Sequence, residues 1–402
     1  MAAGRRRIRA VRTLRPLRRL LFLVSAIVLL ESTFFAVLAP LLPQYAEDFD
    51  LSKTAVGILS AVYAAGGLAG AVPSGLLAVR VGVKPTVLGG LAIIAATSIA
   101  FGFATDEWVL FLARFGQGVG SALAWTGGLA WLVAAAPRER RGELIGIAMG
   151  AAVAGALLGP VLGGVASLTG TGVAFGVVAA TGFFLMVWAW TTPSFPPEAE
   201  PQAARVLTRA FREREVVSGF WLVSLAAMLL GVISVVAPLR LDELGWGALG
   251  ISAAFLVSAG VEAALNPFLG RWSDRYGRLA PVRAGLFAAI ALSVILPWVD
   301  LRWPHLLLVI AAGIAYGIFW VPGTALLSDG AETAGIDQGL GMALLNVAWA
   351  PANVVGAAVG GVLAELIGDS AYFFAAGLCL VTLAATNRIA LERSPAAETG
   401  SI

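Results

Sequence analysis

The sequence predicts an all-α polytopic membrane protein, with twelve transmembrane helices in two pseudo-symmetric six-helix bundles. Three observations carry that expectation: low charge, long apolar runs and an internal repeat. Of 402 residues, 59% are hydrophobic and 13% charged, with a mean hydropathy of +0.88; ordinary soluble domains are roughly 25% charged. Residues 20–43 are interrupted only by Ser, Thr and one Glu, and residues 306–328 carry no charge. Such runs reach the ~20 apolar residues that a membrane crossing needs.

The spans expected in order are 20–43, 54–78, 86–104, 108–135, 143–166 and 173–192, then 218–239, 249–270, 281–299, 305–328, 339–366 and 371–390. They divide the chain into a basic arm (1–19), a first bundle (20–192), a linker (193–217), a second bundle (218–390) and a tail (391–402). The linker starts Pro-rich and ends as a charged, amphipathic stretch. The two bundles match at an offset of 195: Pro43 with Pro238, Gly75 with Gly270, Gly82 with Gly277, Trp108 with Trp303, Gly118 with Gly313, Trp125 with Trp320 and Gly128 with Gly323. At an offset of 197, Gly159, Gly163 and Gly164 fall on Gly356, Gly360 and Gly361. A repeat of half the chain is the pattern of a transporter built from two related bundles.

Basic residues set the expected orientation. The arginines between 5 and 19 fall on one side with Arg80, Lys84, Arg138, Arg140, Arg141, Arg205, Arg209, Arg212, Arg214, Arg271, Arg275, Arg278, Arg283, Arg388 and Arg393. The other side holds Lys53, Arg240 and Arg302 beside acids such as Glu47, Asp48 and Asp106. This bias places both termini in the cytoplasm and the chain in the inner (cytoplasmic) membrane. It also accounts for the net charge of +3 through lipid rather than nucleic acid. The first apolar run is too long for a signal peptide, and no small-residue cleavage site follows it. Cys379 is alone and inside a span, so no disulfide framework or thiolate metal site is expected. His305, the single His, reads as an interfacial residue at a helix start.

Two related loops follow the second and eighth spans, GLLAVRVGVKPT from Gly75 and GRWSDRYGRLAP from Gly270. With twelve spans and a six-plus-six repeat, they resemble the short cytoplasmic motif of the major facilitator superfamily, G-x-x-x-D-R-x-G-R-[RK]. The second copy has Asp274, Arg275, Gly277 and Arg278; the first keeps Gly75, Arg80, Gly82 and Lys84 but has Val79 and Val83 in place of Asp and Arg. Gly permits a tight turn, and the Asp and basic residues are expected to latch neighbouring helix ends in one state. A latch through Asp is expected only in the second copy, though both loops are candidate gating loops.

The fourth span holds LFLARFGQGVGSA, which resembles the superfamily's R-x-x-Q-G-x-G pattern through Arg114, Gln117, Gly118 and Gly120. Arg114, Gln117, Ser121, Trp125 and Gly128 share one helix face. An Arg in hydrocarbon costs several kcal/mol (~2.5–3.5 by insertion scales) unless it finds an interior partner, so Arg114 is expected to face inward rather than snorkel.

Residues 146–164, GIAMGAAVAGALLGPVLGG, carry six glycines and a proline. In a soluble helix each Gly costs about 1 kcal/mol and an interior Pro about 3. Gly146, Gly155, Gly159, Pro160, Gly163 and Gly164 resemble the fifth-helix signature of the superfamily's drug:proton antiporters. Small residues one turn apart let helix backbones approach closely, and Pro160 supplies a deformable point.

The first span holds ESTFFAVLAP, in which Glu31, Thr33 and Pro40 resemble the D-x-T…P pattern of related exporters, with Glu for Asp and Ala36 where Asn is usual. Glu31 lies about twelve residues, roughly 18 Å, from the outer end of its span, and Glu262 about thirteen, roughly 20 Å. Both acids therefore sit near the midplane, one in each half, where a proton gradient can load them. Ser258, Glu262 and Asn266 form a polar stripe. Asn346, Trp349 and Asn353 share one face, as do Tyr316 and Trp320; these are candidate cavity-lining residues. Glu365 reads as structural.

The resemblance implies a proton-coupled antiporter exporting a small amphipathic or cationic compound by alternating access. Its partners are then a small-molecule substrate, protons and membrane lipid, with no cofactor, no metal, no nucleic acid and a monomeric state. No G-x-x-x-x-G-K-[ST] loop is present for ATP. A uniporter or symporter of a small nutrient or metabolite is the alternative on the same fold. A receptor or scaffold is disfavoured by the short loops. An enzyme is disfavoured too, because the sequence shows no metal cluster, Cys–His pair or nucleophile elbow.

Overall fold

The computed structural model describes residues 2–137, 140–194, 210–336 and 338–392, with side chains of 16–336 in those ranges, of 341 and of 344–386. The middle of the expected linker (195–209), Arg138, and the tail from 393 lie outside the described residues. So do the side chains of the arginines before residue 16 and of Arg388. Fourteen α-helices are described: α1 (Ala2–Ala36), α2 (Leu42–Asp48), α3 (Lys53–Arg80), α4 (Val83–Gly102), α5 (Glu107–Ala135), α6 (Arg141–Thr169) and α7 (Thr171–Trp190), followed by α8 (Arg214–Glu243), α9 (Gly247–Tyr276), α10 (Leu279–Ile295), α11 (Arg302–Gly317), α12 (Trp320–Thr333), α13 (Gln338–Ile367) and α14 (Tyr372–Glu392). The segment expected as a separate basic arm is thus continuous with α1 at the backbone.

Among the described residues, eleven stretches are long and apolar enough to cross a membrane. The last, Leu344–Thr386, covers 43 residues, or ~64 Å of helix, about twice the hydrocarbon thickness. It is turned back at Gly368–Ala371, so it supplies two crossings, α13 and α14. The chain is an all-α, twelve-crossing membrane protein.

Two spans are broken where continuous helices were expected. The first stops at Ala36 and resumes through a 3-10 turn, Ala39–Leu41, into α2. Pro40 has no N–H to offer the Ala36 carbonyl four residues back. The tenth breaks at Ile318–Phe319, between α11 and α12, where Pro322 likewise denies a donor to the Ile318 carbonyl.

The described residues cluster into two compact units. One holds 2–51, 58–137, 140–194 and 247–256; the other holds 52–57, 210–246, 257–336 and 338–392. In the first unit, glycines set helix spacing. A Cβ at Gly155 would strike the Leu29 carbonyl, one at Gly159 would come 2.9 Å from the Thr33 carbonyl, and one at Gly163 2.7 Å from that of Val37. These contacts dock α6 on α1. Gly90 of α4 faces Ala124 N and the Gly120 carbonyl of α5, each 2.6 Å from its would-be Cβ. Phe101, Phe175 and Tyr45 close one end, with ring centroids 4.8 and 5.2 Å apart.

The second unit repeats the device. A Cβ at Gly360 of α13 would come 3.1 Å from Val232 Cα of α8, and one at Gly231 of α8 2.9 Å from the Asn353 carbonyl. A Cβ at Gly219 would lie 2.7 Å from the Gly323 carbonyl of α12. The N-terminal turn of α3 belongs here, its Thr54 N–H donating to Glu365 at 2.8 Å, so Glu365 caps a helix start.

Candidate functional site

The first unit buries a polar cluster around the end of α1. Glu31 and Arg114 are each 2% exposed and Gln117 1%. Because α1 ends in the membrane, its last carbonyls lack helical donors, and in hydrocarbon they must find others. Arg114 supplies them: Nη1 donates to the Phe34 carbonyl at 3.1 Å and Nη2 to that of Phe35 at 3.5 Å. Nη1 also donates to Gln117 Oε1 at 3.0 Å, and the guanidinium carbon sits 4.4 Å from the centre of the Tyr63 ring. Cation–π contact and two carbonyls compensate a charge that would otherwise be costly.

Glu31 is held elsewhere. Ser121 Oγ donates to its Oε2 at 3.2 Å, while Oε1 is buried without a partner. Glu31 and Arg114 are not paired with each other: the freed carbonyls of α1 and Gln117 occupy the guanidinium. Arg114 Nε, Gln117 Nε2 and Trp125 Nε1 are likewise buried and unpartnered. One face of α5 thus presents unsatisfied donors, and α1 presents one unsatisfied acceptor. Such groups are costly when left dry, and a polar ligand or water satisfies them.

In the second unit, Ser258 Oγ donates to the Ile310 carbonyl of α11 at 3.3 Å. Glu262 is half-buried, with no hydrogen-bond or ion-pair partner among the described residues, and Asn266 Oδ1 is buried and unpartnered. Other candidates fall outside this cluster. Tyr316 is fully buried and shares a 2.7 Å hydrogen bond with Ser293, so it is core rather than cavity lining. Trp320 starts α12 beyond the helix break, so it does not stand one helical turn above Tyr316. Asn353 is buried against the Ala227 carbonyl at 3.4 Å; Asn346 and Trp320 are half-buried. His305 lies at a helix start, as expected, and is fully buried, its Nδ1 2.9 Å from the Val299 carbonyl.

The two loops differ as their sequences do. Arg278 Nη1 donates to Asp274 at 3.1 Å and Nη2 to Asp329 of α12 at 2.8 Å. In the first copy, Lys84 donates to the Trp190 and Thr192 carbonyls at 2.6 and 2.9 Å, capping α7 instead of pairing with an acid. Arg80 ends α3, and Arg275 stacks on its neighbour Tyr276 at 5.5 Å and takes no part in the Arg278 bridge. Gly82 and Gly277 turn the chain with φ of +100° and +86°, whereas Gly75 and Gly270 are helical with open space around them. Turning is thus done by two glycines, not four. Gly146 is exposed with nothing within 4 Å of its would-be Cβ, so close helix approach begins only at Gly155. A Cβ at Gly164 would lie 3.0 Å from Ser252 Oγ, and Pro160 is buried within α6.

Sequence reading missed a second charged cluster. Arg240, at the end of α8, meets Glu243 at 2.9 Å, Asp300 at 2.5 Å and Asp369 at 2.8 Å. Glu243 also takes Lys53 at 2.8 Å. These partners are spread over more than 300 positions, and no local spacing announces them.

Comparison with known proteins fits this architecture. The family model of the Major Facilitator Superfamily matches residues 22–336 and 220–401. The chain is 27% identical over 298 residues to the "Uncharacterized MFS-type transporter YcaD" of Escherichia coli O7:K1 (strain IAI39 / ExPEC), covering 74% of this chain and 77% of the relative. Among solved structures, a bacterial homolog of the human lysosomal transporter Spinster, inward-facing and unoccupied, aligns with TM-score 0.71 at 18% identity, over 88% of this chain and 82% of that one. The nucleoside transporter NupG aligns with TM-score 0.72 at 15% identity, over 94% and 99%. Matched across both halves and sharing the fold, the chain belongs to the major facilitator superfamily of multi-pass membrane transporters.

Proposed function

We propose that this transporter exports a small amphipathic or cationic compound in exchange for protons, by alternating access. The observation that carries the reading is the Glu31 carboxyl: buried at mid-span, one oxygen on Ser121, the other unpartnered. A protonated carboxyl needs no counter-ion there, whereas an ionised one must find a cation. Substrate cation and proton thus compete for one group. Gln117 and Trp125 offer free N–H donors on the facing helix. Glu262 and Asn266 supply a second polar patch, and Asn346 and Trp320 belong to the same proposed set.

The Arg278 bridge to Asp274 and Asp329 serves as the loop latch. Gly75, Arg80, Gly82, Lys84, Gly270, Arg275 and Gly277 shape the two loops. The run from Gly146 to Gly164, with Gly155, Gly159, Pro160 and Gly163, is the antiport element. We place the chain in the inner membrane as a monomer, both termini cytoplasmic, acting as a transporter and not an enzyme.

The test is transport in proteoliposomes. With an imposed pH gradient and a panel of lipophilic cations such as ethidium and tetraphenylphosphonium, uphill counterflow with proton release is expected. Substrate movement that a pH gradient never drives uphill, or drives only in the same direction as the proton, would select the uniporter or symporter reading.

A further inference from the structure

Helices α9 and α11 meet through two polar side chains seated on two glycines. Ser258 and Glu262 stand one turn apart on α9; Gly313 and Gly317 stand one turn apart on α11. A Cβ at Gly313 would collide with Ser258 Oγ. A Cβ at Gly317 would collide with the Glu262 carboxyl carbon and lie 2.5 Å from both of its oxygens. An oxygen and a methyl carbon cannot share that distance, so a Cβ at 317 would push the carboxyl, the far end of a flexible side chain, out of its seat. Nearby Gly285 of α10, by contrast, would meet side-chain atoms of Ile318 and Phe319 at 3.0 and 3.1 Å, a contact that small adjustments relieve.

The seat lies at a special place in the chain. Gly317 is the last residue of α11, and the break at Ile318–Phe319 follows at once. With Pro322 four residues beyond Ile318, that carbonyl lacks its helical donor. The end of α11 also carries the negative pole of its helix dipole. An ionised carboxylate at this end is repelled by those carbonyls. A protonated carboxyl is spared that repulsion and carries an O–H, a donor that such a carbonyl can accept.

We infer that Gly317 is a positioning residue for Glu262: it seats the carboxyl against the last turn of α11, so that gain or loss of its proton changes the α11–α12 break. The inference rests on the proton-coupled reading above. No cation faces Glu262 among the described residues. Across from it α11 offers Gly313 and Gly317, and Tyr316 is turned to Ser293 of α10. On α9 itself Asn266, one turn on, is uncharged, and Arg271, Asp274 and Arg275 lie more than two turns away. On α12 the acids are Asp329, held by Arg278, and Glu332, both at the far end of that helix. The joint therefore responds to Glu262 alone.

The test uses the full chain in lipid nanodiscs, without substrate. Infrared difference spectra across pH give the titration midpoint of the carboxyl band that disappears in Glu262→Gln. Hydrogen exchange of residues 317–321, taken as protection factors so that the intrinsic pH dependence of amide exchange cancels, reports the break. In wild type, exchange should follow the Glu262 midpoint, and in Glu262→Gln, which removes no volume, it should lose its pH dependence. Gly317→Ala should move the midpoint by about tenfold in proton activity. Gly317→Ala combined with Glu262→Asp, one methylene shorter, should return it.

An unmoved midpoint in Gly317→Ala, or pH-dependent exchange surviving in Glu262→Gln, overturns the inference. Should Gly317→Ala fail to fold, the Glu262→Gln exchange decides alone. A pH-responsive joint in a protein whose transport no pH gradient drives would overturn the coupled-transport reading and leave the seat intact. Driven transport with an indifferent joint does the reverse.

Discussion

Arg114 Nη1 donates a 3.1 Å hydrogen bond to the carbonyl of Phe34, where α1 stops inside the membrane. The guanidinium acts as a C-terminal cap for a broken transmembrane helix, a task for which its fork of donors is suited and a Lys ammonium is not. Arg114→Ala strands two carbonyls, each costing about 1–3 kcal/mol when buried unsatisfied. The variant should insert, melt earlier in detergent and lose flux; Arg114→Lys should fall between it and wild type. Wild-type flux and melting in Arg114→Ala would mean that α1 does not need the cap.

The glycine run of α6 makes a position-specific prediction. Gly155→Ala drives a methyl into the Leu29 carbonyl of α1 and should impair folding or transport severely. Gly146→Ala and Gly150→Ala meet open space in this conformation and should leave folding unchanged or stabilise it by up to ~1 kcal/mol. Thermal melts and flux of the three variants check this ordering. Loss of flux in a well-folded Gly146→Ala would show that Gly146 meets a neighbour in another conformation.

The Arg278 bridge should tune conformation more than stability. Its acids are exposed, with Asp274 at 69% and Asp329 at 51% side-chain exposure, and exposed pairs contribute about 0–1 kcal/mol. Asp274→Asn and Asp329→Asn should each shift the spin-label distance distribution between the ends of α9 and α12 by at most about fivefold in population, leaving melting unchanged. Identical distributions in both variants would remove the bridge from the switching mechanism.

Much of this fold was legible because hydrophobic thickness imposes segment length, and twelve runs of that length are hard to hide. The two helix breaks were not legible. Pro40 and Pro322 sit beside them, yet Pro73, Pro160, Pro238, Pro267 and Pro351 lie inside helices that run on. A proline marks a weak point, and tertiary packing decides whether the chain breaks there. Glu31, Arg114 and Gln117 were legible as costly polar residues in hydrocarbon. Their partners were not, because Arg114 binds backbone carbonyls, which every residue possesses. Gly317 left a signal that went unread: glycines at 313 and 317 have the same spacing as Ser258 and Glu262 on the helix they face.

In the proposed cycle Glu31 exchanges a proton for substrate. Glu31→Gln keeps the shape and a hydrogen-bond partner for Ser121 but cannot release a proton. The decisive measurement is ethidium movement in proteoliposomes carrying this variant, with and without an imposed pH gradient. The account predicts that uphill, gradient-driven efflux is lost while passive exchange persists. Uphill efflux at the wild-type rate would contradict it and remove Glu31 from the coupling step.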